Sequence, residues 1–161
     1  MSYPGPEQAD PRITFSRVEG GNQLAISPTT TMRFVAPGSM TSGRFGLFEA
    51  RLAPHAPGAS PHYHTTFSES FYVLSGRPLL HAGGRWTRFG PGDYAHVAEH
   101  GVHGFRNDGD EPASLLILFA PGIARERYFE DLAEIWASGR RPGPEEMADL
   151  YARHDQVNLP E

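Results

Sequence analysis

Between residues 30 and 119 the chain runs as short apolar-rich segments cut by glycine and proline turns. Residues 30–35 (TTMRFV) are expected as a first strand, closed by Pro37-Gly38, and residues 43–52 (GRFGLFEARL) as a second. Residues 53–61, with three prolines and a glycine, are a loop. From Glu69, strict alternation sets Glu69, Phe71 and Val73 on one face and Ser70, Tyr72 and Leu74 on the other. Further strands are expected at residues 78–81, 86–89, 94–98, 102–106 and 114–119, with a strong turn at Gly90-Pro91-Gly92-Asp93 and a hairpin turn at Asn107-Asp108-Gly109-Asp110. Strands this short and this regularly punctuated indicate an antiparallel sandwich or barrel.

After Pro121-Gly122 the period changes. Ile123, Phe129, Leu132, Ala133 and Trp136 recur at the three- and four-residue steps of one helical face, and Gly139 suits a C-cap. Pro144 followed by Glu145 and Glu146 marks a second helix start, with Met147, Leu150, Tyr151 and His154 along one side. Helices this short are expected to pack on the barrel, with residues 156–160 near its mouth. The organisation read from this is one domain over residues 1–161: an arm at 1–30, a barrel at 31–120, and helices with a tail at 121–161. Residues 1–12 read as a mobile arm, and residues 13–26 as a weak strand-like stretch broken by Gly20-Gly21.

Composition narrows the function. The 161 residues can bury a sizeable core, and 18 Gly with 15 Pro match a turn-rich β protein. A net charge of −5 without a basic stripe argues against a nucleic-acid partner. No run approaches the roughly 20 apolar residues of a membrane span. The first ten residues show no export signal, so a cytoplasmic location is expected. The chain has no cysteine, which excludes thiolate nucleophiles and zinc–thiolate sites. It has no lysine either, since all 14 basic residues are arginine, and no G-x-S-x-G elbow. Hard chemistry is left to histidine, carboxylate and a metal.

The candidate chemistry sits in two runs, PHYHTTFSESFYVLSG (61–76) and GDYAHVAEHGVHGFRN (92–107). His62 and His64, two apart on an extended strand, project from one face. Glu69 follows a short polar stretch, and His103 arrives from a distant strand to complete a four-ligand set of nitrogen and oxygen. A lone H-x-H is ordinarily two surface histidines, and a carboxylate at a strand start is ordinarily solvated. The combination is what argues for metal, because a carboxylate on an inward face with Phe71 and Val73 needs a cation or hydrogen-bond partner. His81, His96 and His100 stay open as cavity or surface residues, whereas His55 and His154 read as surface. Asn107 reads as a turn-closing residue, and Phe45, Phe48, Phe71, Phe105 and Phe119 as core.

The pattern H-x-H-x4-E-x6-G, followed by a second motif ending H-x3-N, resembles the two signature motifs of the cupin superfamily over roughly residues 31–120. Gly76, Gly92, His103 and Asn107 fall in register. Ala98 stands where the family usually has proline and His100 where it usually has glycine, while the glycine expected upstream of His62 is out of register, Gly58 being the nearest. The resemblance implies an all-β jelly-roll barrel of antiparallel strands with a short C-terminal helical extension. It also implies one divalent ion (Fe, Mn, Ni, Co or Zn) held by His62, His64, Glu69 and His103, and a homodimer. The three-histidine, one-glutamate set is similar to that of quercetin dioxygenase-like cupins, which implies oxidative cleavage of an oxygen-rich, aromatic small-molecule substrate. Glu69 would then be general base as well as ligand, with Phe71, Val73 and Phe105 as the apolar wall. Metal-dependent isomerases, decarboxylases and polyketide cyclases share the fold, as do non-catalytic small-molecule binders; no helix-turn-helix accompanies the domain.

Overall fold

The computed structural model describes residues 11–160, so most of the arm expected at residues 1–12 lies outside the described residues. The first strand, β1 (Gln23–Ala25), pairs with β2 (Thr30–Ala36), so that the segment read as arm or weak strand ends inside a sheet. Then follow β3 (Gly46–Leu52), β4 (Ala59–Tyr63), β5 (Ser68–Ser75), β6 (Leu79–Ala82) and β7 (Arg85–Arg88). After β8 (Tyr94–Val97), β9 (His103–Arg106) and β10 (Ala113–Ala120) come two helices, α1 (Arg125–Ala137) and α2 (Pro144–Arg153). A two-residue strand, β11 (Val157–Asn158), closes the described chain. Among the described residues, no helix is long and apolar enough to cross a membrane.

The strands form two antiparallel sheets, one in the order β1-β2-β3-β10-β5-β8 and the other β11-β4-β9-β6-β7. This is the jelly-roll expected of the cupin pattern. The inner face follows from period 2. Along β10, Ala113, Leu115, Ile117 and Phe119 are buried and alternate with half-buried residues. Phe48, Phe119 and Phe129 meet with ring centroids 5.0–6.2 Å apart, which fastens α1 to the barrel. Leu150 seats α2, with Pro144 in its first turn.

Three expectations are corrected. The Asn107–Asp110 turn does not make a hairpin: β9 and β10 lie in different sheets, so this turn carries the chain from one sheet to the other. Asn107 enforces the crossing by donating from Nδ2 to Ala53 O and Glu111 O and accepting from Gly109 N–H. Trp136 and Phe45 are substantially exposed rather than packed in the core. His154 is not a surface residue: it bonds Asp131 at 2.7 Å, tying α2 to α1, and its ring lies 5.5 Å from that of Tyr128.

Gly76 of the sequence motif and Gly58 upstream of it have steric causes. Gly76 sits at φ +76, and a Cβ there would lie 2.5 Å from Pro112 O. Gly58 sits at φ +60, where a Cβ would lie 2.0 Å from Phe105 O, so only glycine lets the approach to β4 pass this close to β9.

Candidate metal centre

His62 on β4 and His103 on β9 are cross-strand partners, which brings their imidazoles side by side with centroids 4.4 Å apart. His64 follows just beyond β4, its ring 4.9 Å from that of His62 and stacked on Phe67 at 4.2 Å. Glu69 comes from the facing sheet, where β5 aligns it with Phe119 and Val97. The two sheets thus close around one point. Each residue offers a ligand atom within 4.8 Å of the others, and all four are buried, at 3%, 2%, 3% and 2% exposure in chain order.

Hydrogen bonds orient the three rings. Nδ1 of His62 faces Ser60 O at 2.7 Å, that of His64 faces Asp155 O at 2.6 Å, and that of His103 faces Gly101 O at 2.8 Å. A carbonyl only accepts, so each Nδ1 carries the proton and each Nε2 is left to face inward. Nε2 of His64 and of His103 both approach Glu69 Oε2, at 3.0 and 2.6 Å. Two nitrogens converging on one buried carboxylate oxygen form an arrangement compatible with a bound cation. Three imidazole nitrogens and one carboxylate oxygen are a donor set that borderline divalent ions accept, so His62, His64, Glu69 and His103 could hold one.

Two different electrostatic balances act on the cluster. Burial pushes the His62 imidazole down to about 3, which keeps it neutral as a ligand must be. Burial likewise opposes charge on His103 and Glu69, but their mutual attraction and hydrogen bond outweigh it. The result raises His103 and lowers Glu69.

Beside the cluster lies a cavity of about 230 Å³ whose wall includes His62, Glu69, Phe105, Phe119, Arg125 and Tyr128. Phe105, expected from the sequence in an apolar wall, lines this cavity. Phe71 lies behind His103, with ring centroids 5.8 Å apart, and Val73 is buried in the core; neither belongs to that wall, where Ile117 and Phe119 of β10 stand instead. The open histidines stay outside the cluster: His81 packs on Trp86 at 5.3 Å, His96 bonds Ser70 Oγ at 2.9 Å, and His100 faces Tyr63 at 6.1 Å.

The sequence reading missed Arg125, Tyr128 and Asp155, whereas Gln156 belongs to the tail expected near the barrel mouth and lines the cavity. Arg125 did leave one signal, since a cation in the first turn of a helix opposes the macrodipole.

Residues 48–119 match the Cupin domain family model. The chain is 27% identical over 128 residues to quercetin 2,3-dioxygenase of Bacillus subtilis (strain 168); the match covers 80% of this chain but only 37% of that protein's length. Among solved structures, a predicted oxalate decarboxylase of Thermotoga maritima superposes with a TM-score of 0.62 at 17% identity, covering 67% of this chain and 99% of that one. The polyketide cyclase RemF of Streptomyces resistomycificus gives a TM-score of 0.58 at 22% identity, covering 67% and 79%. At these identities the two structures speak for the fold alone. With both motifs folded as a jelly-roll around a buried histidine–glutamate cluster, residues 48–119 form a cupin-type domain.

Proposed function

We propose that the protein is a metal-dependent dioxygenase acting on a compact, oxygen-rich small molecule. The observation that carries the reading is the convergence of His62, His64, Glu69 and His103 within 4.8 Å at the wall of an apolar-lined cavity. Similarity to a quercetin 2,3-dioxygenase supports the oxidative class. A borderline redox ion held by His62, His64, Glu69 and His103 would supply Lewis acidity and access to one-electron oxygen chemistry.

The chain's own residues do the rest. The three imidazoles present Nε2 because their Nδ1 protons are committed to Ser60, Asp155 and Gly101. Glu69 makes both imidazole contacts through Oε2 and also faces the cavity, which leaves its second oxygen to take the proton of a substrate hydroxyl. Phe105, Phe119 and Phe129 exclude water from the reacting face. At about 230 Å³ the cavity falls below the roughly 300–1,000 Å³ that holds drug-sized ligands, which favours a single ring or a diketone over a flavonol.

The test is an oxygen-electrode assay of protein loaded in turn with Fe(II), Mn(II), Co(II) and Ni(II), against catechols, diketones and flavonols. Uptake matched by incorporation of labelled dioxygen into product is expected. Clean conversion of a substrate under nitrogen, with no uptake for any metal, would move the protein to the isomerase, cyclase or decarboxylase class. Ligand binding without conversion would leave a small-molecule binder.

A homodimer belongs to the same proposal. β8 ends its sheet, and Tyr72 and Tyr94 pair there on an exposed face that a second copy would cover. Light scattering giving a monomer mass at all concentrations would exclude it.

A further inference from the structure

Arg125 is 4% exposed, yet no carboxylate pairs with it among the described residues. Its Nη1 donates to His154 O at 2.9 Å and its Nη2 to Gln156 Oε1 at 2.7 Å. Its Nε–H finds no acceptor among the described residues. The guanidinium lies 3.9 Å from the Tyr128 ring centroid and 5.3 to 5.8 Å from those of Phe67, Phe119 and Phe129. The neighbouring acid, Glu126, is turned away, accepting from the backbone N–H groups of Gly38 and Ser39.

A buried cation held only by neutral oxygens and ring faces is costly, and two features add to the cost. Arg125 opens α1, where the helix already carries partial positive charge. It also shares a cavity wall with His62 and Glu69, so a divalent ion at that cluster would make the same space net positive. An anion in the cavity would relieve all of this at once. We propose that Arg125 is a substrate-binding residue, forming an anion subsite that recognises a carboxylate or enolate oxygen of the compound whose other oxygens reach the metal cluster. The inference rests on the proposed function above and deepens it: the substrate is a compact organic anion. The bonds to His154 and Gln156 also pin the C-terminal segment, a structural duty that is compatible with binding but would not discriminate between ligands by charge.

Benzoate and benzamide, alike in shape and differing in charge, are the probes. Calorimetry on zinc-loaded and on metal-free protein is expected to show benzoate binding about 10- to 100-fold tighter, the usual weight of a charge-assisted hydrogen bond. Arg125→Met should reduce that preference to about threefold or less, and Arg125→Lys should keep part of it. In the unmodified protein, the nitrogen-15 resonance of the Arg125 Nε–H should shift with benzoate and not with benzamide. Equal binding of the two probes, a preference that survives in a cooperatively folded Arg125→Met protein, or an unmoved Nε–H resonance would each overturn the subsite. None of these readouts uses oxygen uptake. A retained benzoate preference without uptake would sink the dioxygenase reading alone, and uptake without the preference would sink the subsite alone.

Discussion

The backbone carbonyl of Asp155 lies 2.6 Å from Nδ1 of His64, so a residue 91 positions downstream sets the orientation of one imidazole in the cluster. The side chain of Asp155 secures that carbonyl, accepting from the backbone N–H and hydroxyl of both Thr65 and Thr66. Beyond it, β11 pairs with β4 through Val157–Tyr63 and Asn158–His62. Asp155→Ala removes the caps and the left-handed preference at φ 51, while the four cluster residues stay in place. The expected loss is about 1–2 kcal/mol of stability, on the scale of a lost side-chain cap. Metal affinity should fall about tenfold, the effect usual for a group that orients a ligand. Chemical denaturation and chelator competition measure the two, and unchanged metal affinity would show that the clip does not orient His64.

The same clip should release in acid. Burial raises the Asp155 carboxyl, but the hydrogen bonds from Thr65 and Thr66 outweigh it and hold the group below the usual carboxylate range. A depressed value contributes stability that is complete above the unfolded value, about 3.9, and is lost as pH falls through the folded one. The Thr65 and Thr66 amide resonances should therefore stay constant down to about pH 4 and move only below it, and Asp155→Asn should abolish the transition. Movement centred above the ordinary aspartate value would contradict the assignment.

Binding of a divalent ion should stabilise the fold by mass action, about 4 kcal/mol when the free ion is a thousandfold above its dissociation constant. Thermal melts with and without Zn(II) test this. His62→Ala and His103→Ala should melt at the same temperature with and without the ion, because each removes one nitrogen of the set. Glu69→Gln should keep a smaller response, retaining three nitrogens while losing the charge. A full zinc response in His103→Ala would mean that the ion binds elsewhere.

What could be read from the sequence was local. His62 and His64 share a face because of strand period, and Glu69 and His103 follow at motif spacing that the jelly-roll converts into proximity. Arg125 and Asp155 could not be found that way. Both reach the site through packing of the C-terminal segment on the barrel, across separations that no periodicity encodes. Phe71 and Val73 show the limit of face assignment: alternation puts them on the inner face with Glu69, but that face is deep enough to hold both cavity wall and core. The Asn107 turn shows another limit, since its residues are right for a turn of either kind and only the pairing of β9 and β10 with other strands decides.

His100 supplies the last prediction. It stands where glycine is usual in this motif, and the reason is visible in its backbone: φ is +65, and its N–H donates to His64 O at 2.7 Å. A left-handed conformation costs an L-residue about 1–2 kcal/mol, whereas glycine adopts it freely. Glycine also loses about 0.5–1 kcal/mol through the greater entropy of its unfolded chain. The imidazole is exposed, so its tilted contact with Tyr63, at 6.1 Å between centroids, offsets only part of the difference. His100→Gly should therefore stabilise the protein by about 0.5–1 kcal/mol, raising the denaturant midpoint with no change in slope. Because the N–H bond to His64 O is a backbone interaction, metal affinity should be unaffected. A destabilised variant would mean that the imidazole of His100 contributes more than its backbone strain costs.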